Sequence, residues 1–161
     1  MGLDAVIERD LAEASQLFDE LAPIAGDDRR TGETMRVARL LAVTLKTHAL
    51  AEQKVLHELL RGAGARFSSV ALQSWHEHHA LDVLLDKLLS LRPGLELEAV
   101  VAVARRLFEL RCEREQRELL PAMHETIPRD EHDQLACELV AAQRRLRPQV
   151  ERMIGSTSRV A

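Results

Sequence analysis

Aromatic residues are nearly missing from this 161-residue chain: one Trp, three Phe and no Tyr amount to 2% of it. Strands draw on aromatic and β-branched side chains, whereas this sequence is rich in Leu, Ala, Glu and Arg, which argues against an all-β fold. Cysteine is scarce as well. Cys112 and Cys137 lie far apart, form no CxxC pair, and read as reduced thiols of a cytoplasmic protein. Basic charge is not in excess: 22 Lys and Arg face 26 Asp and Glu, for a net charge of −4. The electrostatic footprint of a nucleic-acid binder is therefore missing. No apolar run approaches the roughly 18–20 residues of a membrane span, and the acidic start (Asp4, Glu8, Asp10) does not read as a signal peptide. Internal repeats, low-complexity tracts, Ser/His/Asp logic, phosphate-cradling glycine loops and kinase-like signatures are also missing.

What is present is a chain that is 46% hydrophobic, enough to build a core without disulfide staples. At about 100–200 residues per domain, it makes one domain, placed at 1–155, with 156–161 as a frayed tail. Four breaks punctuate it: Pro23 to Gly32, Gly62 to Ser69, Pro93-Gly94, and Thr126 to Asp130. Between them the apolar residues recur with a helical period. The pattern predicts helices over 3–21, 32–61, 68–91, 96–124 and 130–153. Long amphipathic helices joined by short loops favour an all-α, antiparallel up-down four-helix bundle. The fifth helix, with Leu135, Leu139, Ala142 and Leu146 in phase, packs outside it as an additional C-terminal helix.

The apolar seams are interrupted at informative places. Helix one runs Leu3, Ile7, Leu11, Ala14, Phe18 and Leu21, apolar throughout. Helix two runs Leu41, Leu45, His48, Glu52, Val55 and Leu59, so two ionisable residues occupy the middle of a buried stripe. Helix three runs Ala71, Trp75, His78, Leu81 with Asp82, Leu85 and Leu88. Helix four runs Val100, Ala104, Leu107 with Phe108, Arg111, Glu115, Leu119 and Ala122. A buried charge without a partner costs several kcal/mol, so these groups must meet one another, a metal or water. His48 and Glu52 are four apart, as are Arg111 and Glu115, which puts each pair on one helix face. Inward Glu and His at such spacing build di-iron carboxylate sites in helical bundles.

Over about the first 125 residues these features resemble the hemerythrin-like (HHE cation-binding) family, and the last helix suits some members. The residues that carry the resemblance are His48-Ala-Leu-Ala-Glu52 followed by Val55-Leu56, then Glu77-His78 followed by Leu84-Leu85 and Leu88, then Glu115-Gln-Arg-Glu-Leu119-Leu120-Pro121. The resemblance implies a bundle whose centre holds a pair of irons, bridged by the glutamates of helices two and four. Of the implied ligands, His48, Glu52, His78 and Glu115 are retained, with Asp82, one turn after His78, as a further candidate. Two histidine positions are replaced: Leu11 stands in the helix-one position and Arg111 in the helix-four position. Arg111 would bring a permanent positive charge beside the cations, and its guanidinium is shaped to pair with carboxylates.

Two readings follow. In the first, Arg111 takes over the cations' electrostatic role between Glu52 and Glu115. The chain is then a degenerate, metal-free or weakly metal-binding hemerythrin-like domain. It needs no cofactor and acts as a regulatory or partner-binding module, a monomer or homodimer, with an unidentified protein partner. In the second, the Arg111 stem carries its charge out to water. The retained ligands then hold non-haem iron, or zinc, for binding or sensing O2, peroxide, NO or iron, or for peroxide removal by an iron enzyme. Elsewhere the plainer readings are favoured. His57, nine residues after His48, falls on the opposite, solvated face. Of His76, His78 and His79, only one can face the seam. Trp75 and Phe108 read as core residues. Cys112, next to Arg111, reads as an ordinary thiol, though a neighbouring cation could sensitise it.

Overall fold

A computed structural model describes residues 1–157, and all of its regular structure is helical. The five helices are α1 (Leu3–Leu21), α2, α3 (Ala65–Ser90), α4 and α5 (His132–Thr157). Two of them are composite. Helix α2 is an α-helix over Thr31–Glu52, widens to a π turn over Gln53–His57, and closes as α-helix over Glu58–Gly62. Helix α4 follows the same plan: Leu95–Arg114, a π turn over Glu115–Leu119, then Leu120–Thr126. The helices sit within a few residues of the positions that periodicity predicts. Helix α5 continues through 156–157, past the expected domain end, and residues 158–161 of the expected tail lie outside the described residues.

The connections are short because particular residues turn the chain sharply. Gly64 and Gly94 take φ of 121° and 158°, conformations that L side chains rarely adopt, immediately before α3 and α4. The Gly94 N–H donates to the Ala25 carbonyl at 2.9 Å, tying the α3–α4 turn to the α1–α2 loop. In that loop the Asp27 side chain accepts from the Arg29 N–H and caps a 3-10 turn over Asp28–Arg30.

The core is a continuous apolar cluster to which every helix contributes. Helix α1 buries Leu3, Ile7, Leu11, Ala14, Phe18 and Leu21, the whole predicted seam. Phe18 meets Phe108 of α4 with ring centroids 5.3 Å apart. Helix α2 packs against α1, α3 and α5; α3 packs against α4; α4 also reaches α1. Helix α5 lays Leu135, Leu139, Ala142, Leu146, Val150 and Ile154 against this assembly, mainly on α2 and also on α1.

Two predicted seams need correction. Trp75 is 36% exposed rather than core, stacked on His79 with centroids 5.6 Å apart. In α2 the stripe does not continue to Val55 and Leu59. Leu56 and Leu60 are fully buried, whereas Val55 is half-buried and Leu59 is exposed. The π turn is the cause: it inserts one residue into the helical turn and moves every later side chain about 100° around the axis.

Phe18 is fully buried and stacked, so Phe18→Ala leaves a cavity where α1 meets α4. Its unfolding midpoint in urea should fall by the equivalent of about 3–5 kcal/mol.

Candidate functional site

Where the seams turn polar, the described helices converge on one buried group of ionisable side chains. Helix α1 supplies Asp10, α2 supplies His48, Glu52 and His57, α3 supplies His78, and α4 supplies Arg111 and Glu115. Each is buried, and Glu52 is completely inaccessible.

His48 is its hub. Nδ1 lies 3.1 Å from Asp10 Oδ2, and Nε2 lies 3.2 Å from Glu52 Oε1 and 3.3 Å from Glu115 Oε1. A ring with carboxylate oxygens at both nitrogens keeps a proton on each. Burial opposes that charge, but the Glu52 carboxylate beside the ring and hydrogen bonds to Asp10 and Glu115 raise the His48 pKa well above its ordinary value. Asp10 is itself anchored: Arg9 donates to Oδ1 at 2.7 and 3.0 Å, and Gln143 of α5 donates to Oδ2. Burial acts to raise the Asp10 carboxyl, but its bonds to His48 and Arg9 hold it below its ordinary value.

Arg111 points inward, only 2% exposed. One nitrogen, Nη2, reaches both glutamates, 3.4 Å from Glu52 Oε2 and 3.6 Å from Glu115 Oε1. The contact is a single-nitrogen bridge rather than a two-point fork: Nε and Nη1 meet no acceptor among the described residues. The two glutamates respond oppositely. Burial works to raise Glu52, but the His48 and Arg111 charges overcome it and hold the carboxyl far below its ordinary range. Burial also raises Glu115, and there the neighbouring Glu52 charge adds to the effect and keeps it up.

The remaining imidazoles are different in kind. His78 Nε2 is 3.1 Å from Glu52 Oε2, but neither ring nitrogen makes a hydrogen bond, nor does either nitrogen of His57. Burial and the nearby Arg111 charge hold His78 well below its ordinary pKa. Burial, then Arg111 against the opposing pull of Glu52, lowers His57. Their rings stack, with centroids 5.4 Å apart. Leaving a buried polar group unpaired costs about 1–3 kcal/mol, so such a pair is an unusual thing for a core to hold.

The expected site residues thus divide. His48, Glu52, His78, Glu115 and Arg111 come together. Asp82 does not: it lies at the surface, with its side chain 44% exposed and Oδ1 2.5 Å from Lys46 Nζ. Leu11 packs in the apolar core, and the α1 residue that meets the centre is its neighbour Asp10. That was readable in the spacing, since Val6, Asp10 and Ala14 follow one stripe at intervals of four and all are buried. His57, expected on the solvated face, is 2% exposed. Nine α-helical residues would carry it about 180° from His48, and the π turn takes back about 100°. Of the histidines on α3, only His78 is buried.

Among the described residues, two groups of three bring their donor atoms within 4.8 Å of one another: His48 with Glu52 and Glu115, and Glu52 with His57 and His78. A bridged pair of cations, as the resemblance implies, would use both groups and share Glu52. The Arg111 guanidinium reaches both glutamates that such a pair would share, and sets a permanent positive charge beside them. Compared with family models, with curated proteins and with solved structures, the chain matches none.

Cys112 departs from the sensitised-thiol alternative. Burial, reinforced by the Glu115 carboxyl, pushes its thiol up to about 11 from an ordinary 9.0, despite Arg111 next door. At pH 8 iodoacetamide should therefore label Cys112 about 100-fold more slowly than an ordinary thiol, while exposed Cys137 reacts readily. Peptide mass spectrometry over time reads both sites, and Cys112 labelling at the Cys137 rate would contradict the burial argument.

Proposed function

We propose that the chain is a hemerythrin-like domain with a degenerate centre, in which two organic cations stand where a bridged metal pair would sit. Its first four helices form an antiparallel up-down bundle, with α5 as the outer helix. The observation that carries the reading is the buried guanidinium of Arg111 within 3.4 and 3.6 Å of Glu52 and Glu115. The imidazolium of His48 supplies the second positive charge, between Asp10 and the same two glutamates.

Electrostatics supports this reading over a dinuclear one. Three carboxylates, Asp10, Glu52 and Glu115, face His48 and Arg111, and Arg9 caps Asp10 from outside. The charges are close to balanced within the protein. Adding two divalent ions would place an excess of positive charge in a low-dielectric interior, where each uncompensated charge costs several kcal/mol. An Arg cannot relieve that by losing its proton.

A domain without a bridged iron pair has no place to bind O2 or reduce peroxide by the two-iron route. We therefore assign it a non-enzymatic role in the cytoplasm, as a regulatory or partner-binding module. The described helices support only the negative part of that location: none is long and apolar enough to cross a membrane.

Loading the protein with Fe(II) in air and measuring iron and the visible spectrum tests the proposal. The parent chain should bind fewer than two irons and show no oxo-bridge absorption near the ultraviolet edge. Arg111→His combined with Asp10→His, at the α1 position that meets the centre, should bring bound iron up toward two. Two irons per chain in the parent protein, with the oxo-bridge band, would overturn the reading.

A further inference from the structure

The stacked pair His57–His78 is not used by the cation replacement just described. Both rings are buried, and among the described residues all four ring nitrogens lack a protein hydrogen bond. They share a carboxylate, Glu52, and the three residues present donor atoms within 4.8 Å of one another. His57 reaches this position only because α2 widens into a π turn over Gln53–His57. π turns inside α-helices are rare and recur at functional sites.

We infer that Glu52, His57 and His78 form a site for a single divalent transition metal, Zn(II) or Fe(II). The inference rests on the reading of Arg111 and His48 as the replacement for a bridged pair, since that reading leaves the two imidazoles unspent and shares Glu52 with them. Two imidazoles and one carboxylate suit zinc or ferrous iron, and three protein ligands leave positions for water or a small ligand. Both histidines lie one side of the shared glutamate in chain terms: Glu52 and His57 come from α2, and His78 comes from α3. The metal would therefore pin these two helices together.

His78 also lines a surface cavity of about 240 Å³, together with Leu50, Gln53, Trp75 and His79. Arg111 works against the site, because its guanidinium already contacts the Glu52 oxygen that His78 approaches. Binding is accordingly weaker than a three-ligand centre without a cationic neighbour would give, and removing the cation should tighten it.

Zn(II) titration of the full chain, followed by histidine-ring NMR, tests the assignment without any variant. One equivalent should shift the ring nitrogens of His57 and His78 to metal-bound values and leave those of His48 as they were. His57→Gln and His78→Gln should each weaken Zn(II) binding by more than the roughly 10–100-fold that loss of an outer-shell partner costs. Arg111→Met should strengthen it. Co(II) in place of Zn(II) should give the visible bands of a four- or five-coordinate ion bound by nitrogen and oxygen. Shifts confined to His76 or His79, a stoichiometric site unaffected by both histidine substitutions, or no uptake by the parent chain would each overturn the inference. None of those results restores a bridged iron pair, so they leave the preceding proposal standing. Two irons with an oxo bridge would instead remove that proposal first.

Discussion

Arg111 cannot give up its proton, so placing it in the middle of a helical assembly obliges the surrounding helices to answer its charge. Glu52 and Glu115 do so from α2 and α4, and their approach to one nitrogen fixes how those helices sit at mid-height. His48 then occupies the space between the same carboxylates, and Asp10 of α1 satisfies its other nitrogen. Each partner is costly if left alone and acceptable in company. Buried ion pairs of this kind add little net stability over apolar packing, but removing one member strands the rest, at about 3–5 kcal/mol. The apolar seams supply the folding free energy. The polar centre restricts which register of those seams is tolerated.

That division explains what could be read from the sequence. The five helices follow from period, breaks and length, because burial of an amphipathic face dominates helix formation. The seam of α1 came through whole from Leu3 to Leu21, and that of α5 from Leu135 to Leu146. Arg111, Glu115, His48, Glu52 and His78 are legible because an ionisable residue on an apolar stripe is conspicuous. Asp82 shows the converse: it neighbours Leu81 on the stripe, but a step of about 100° is enough to carry it out to Lys46.

A constant helical period does not hold in α2 and α4. Residue types give no direct sign of a π turn. Its consequence was nevertheless visible after the fact in α2, where Val55 and Leu59 yield the core to Leu56 and Leu60. Either pair fits the composition, since both offer two aliphatic residues four apart. The choice is made by His57. In strict α register its ring would face water; with one added residue it lies beneath Glu52 and against His78. The second π turn begins at Glu115 itself, where the Leu120 N–H returns to the Glu115 carbonyl. Glu52 and Glu115 thus both stand at the threshold of a widened turn, a regularity of the backbone that side-chain patterning does not report.

Gln143 belongs to α5, yet its amide donates to the carboxylate that orients His48. The C-terminal helix is therefore more than a lid over apolar surface. Shortening the chain before that residue would strip Asp10 of a donor, loosen the imidazolium it steadies, and disturb an interior more than a hundred residues upstream. The minimal unit that keeps its charges in order includes all five helices, not the first four.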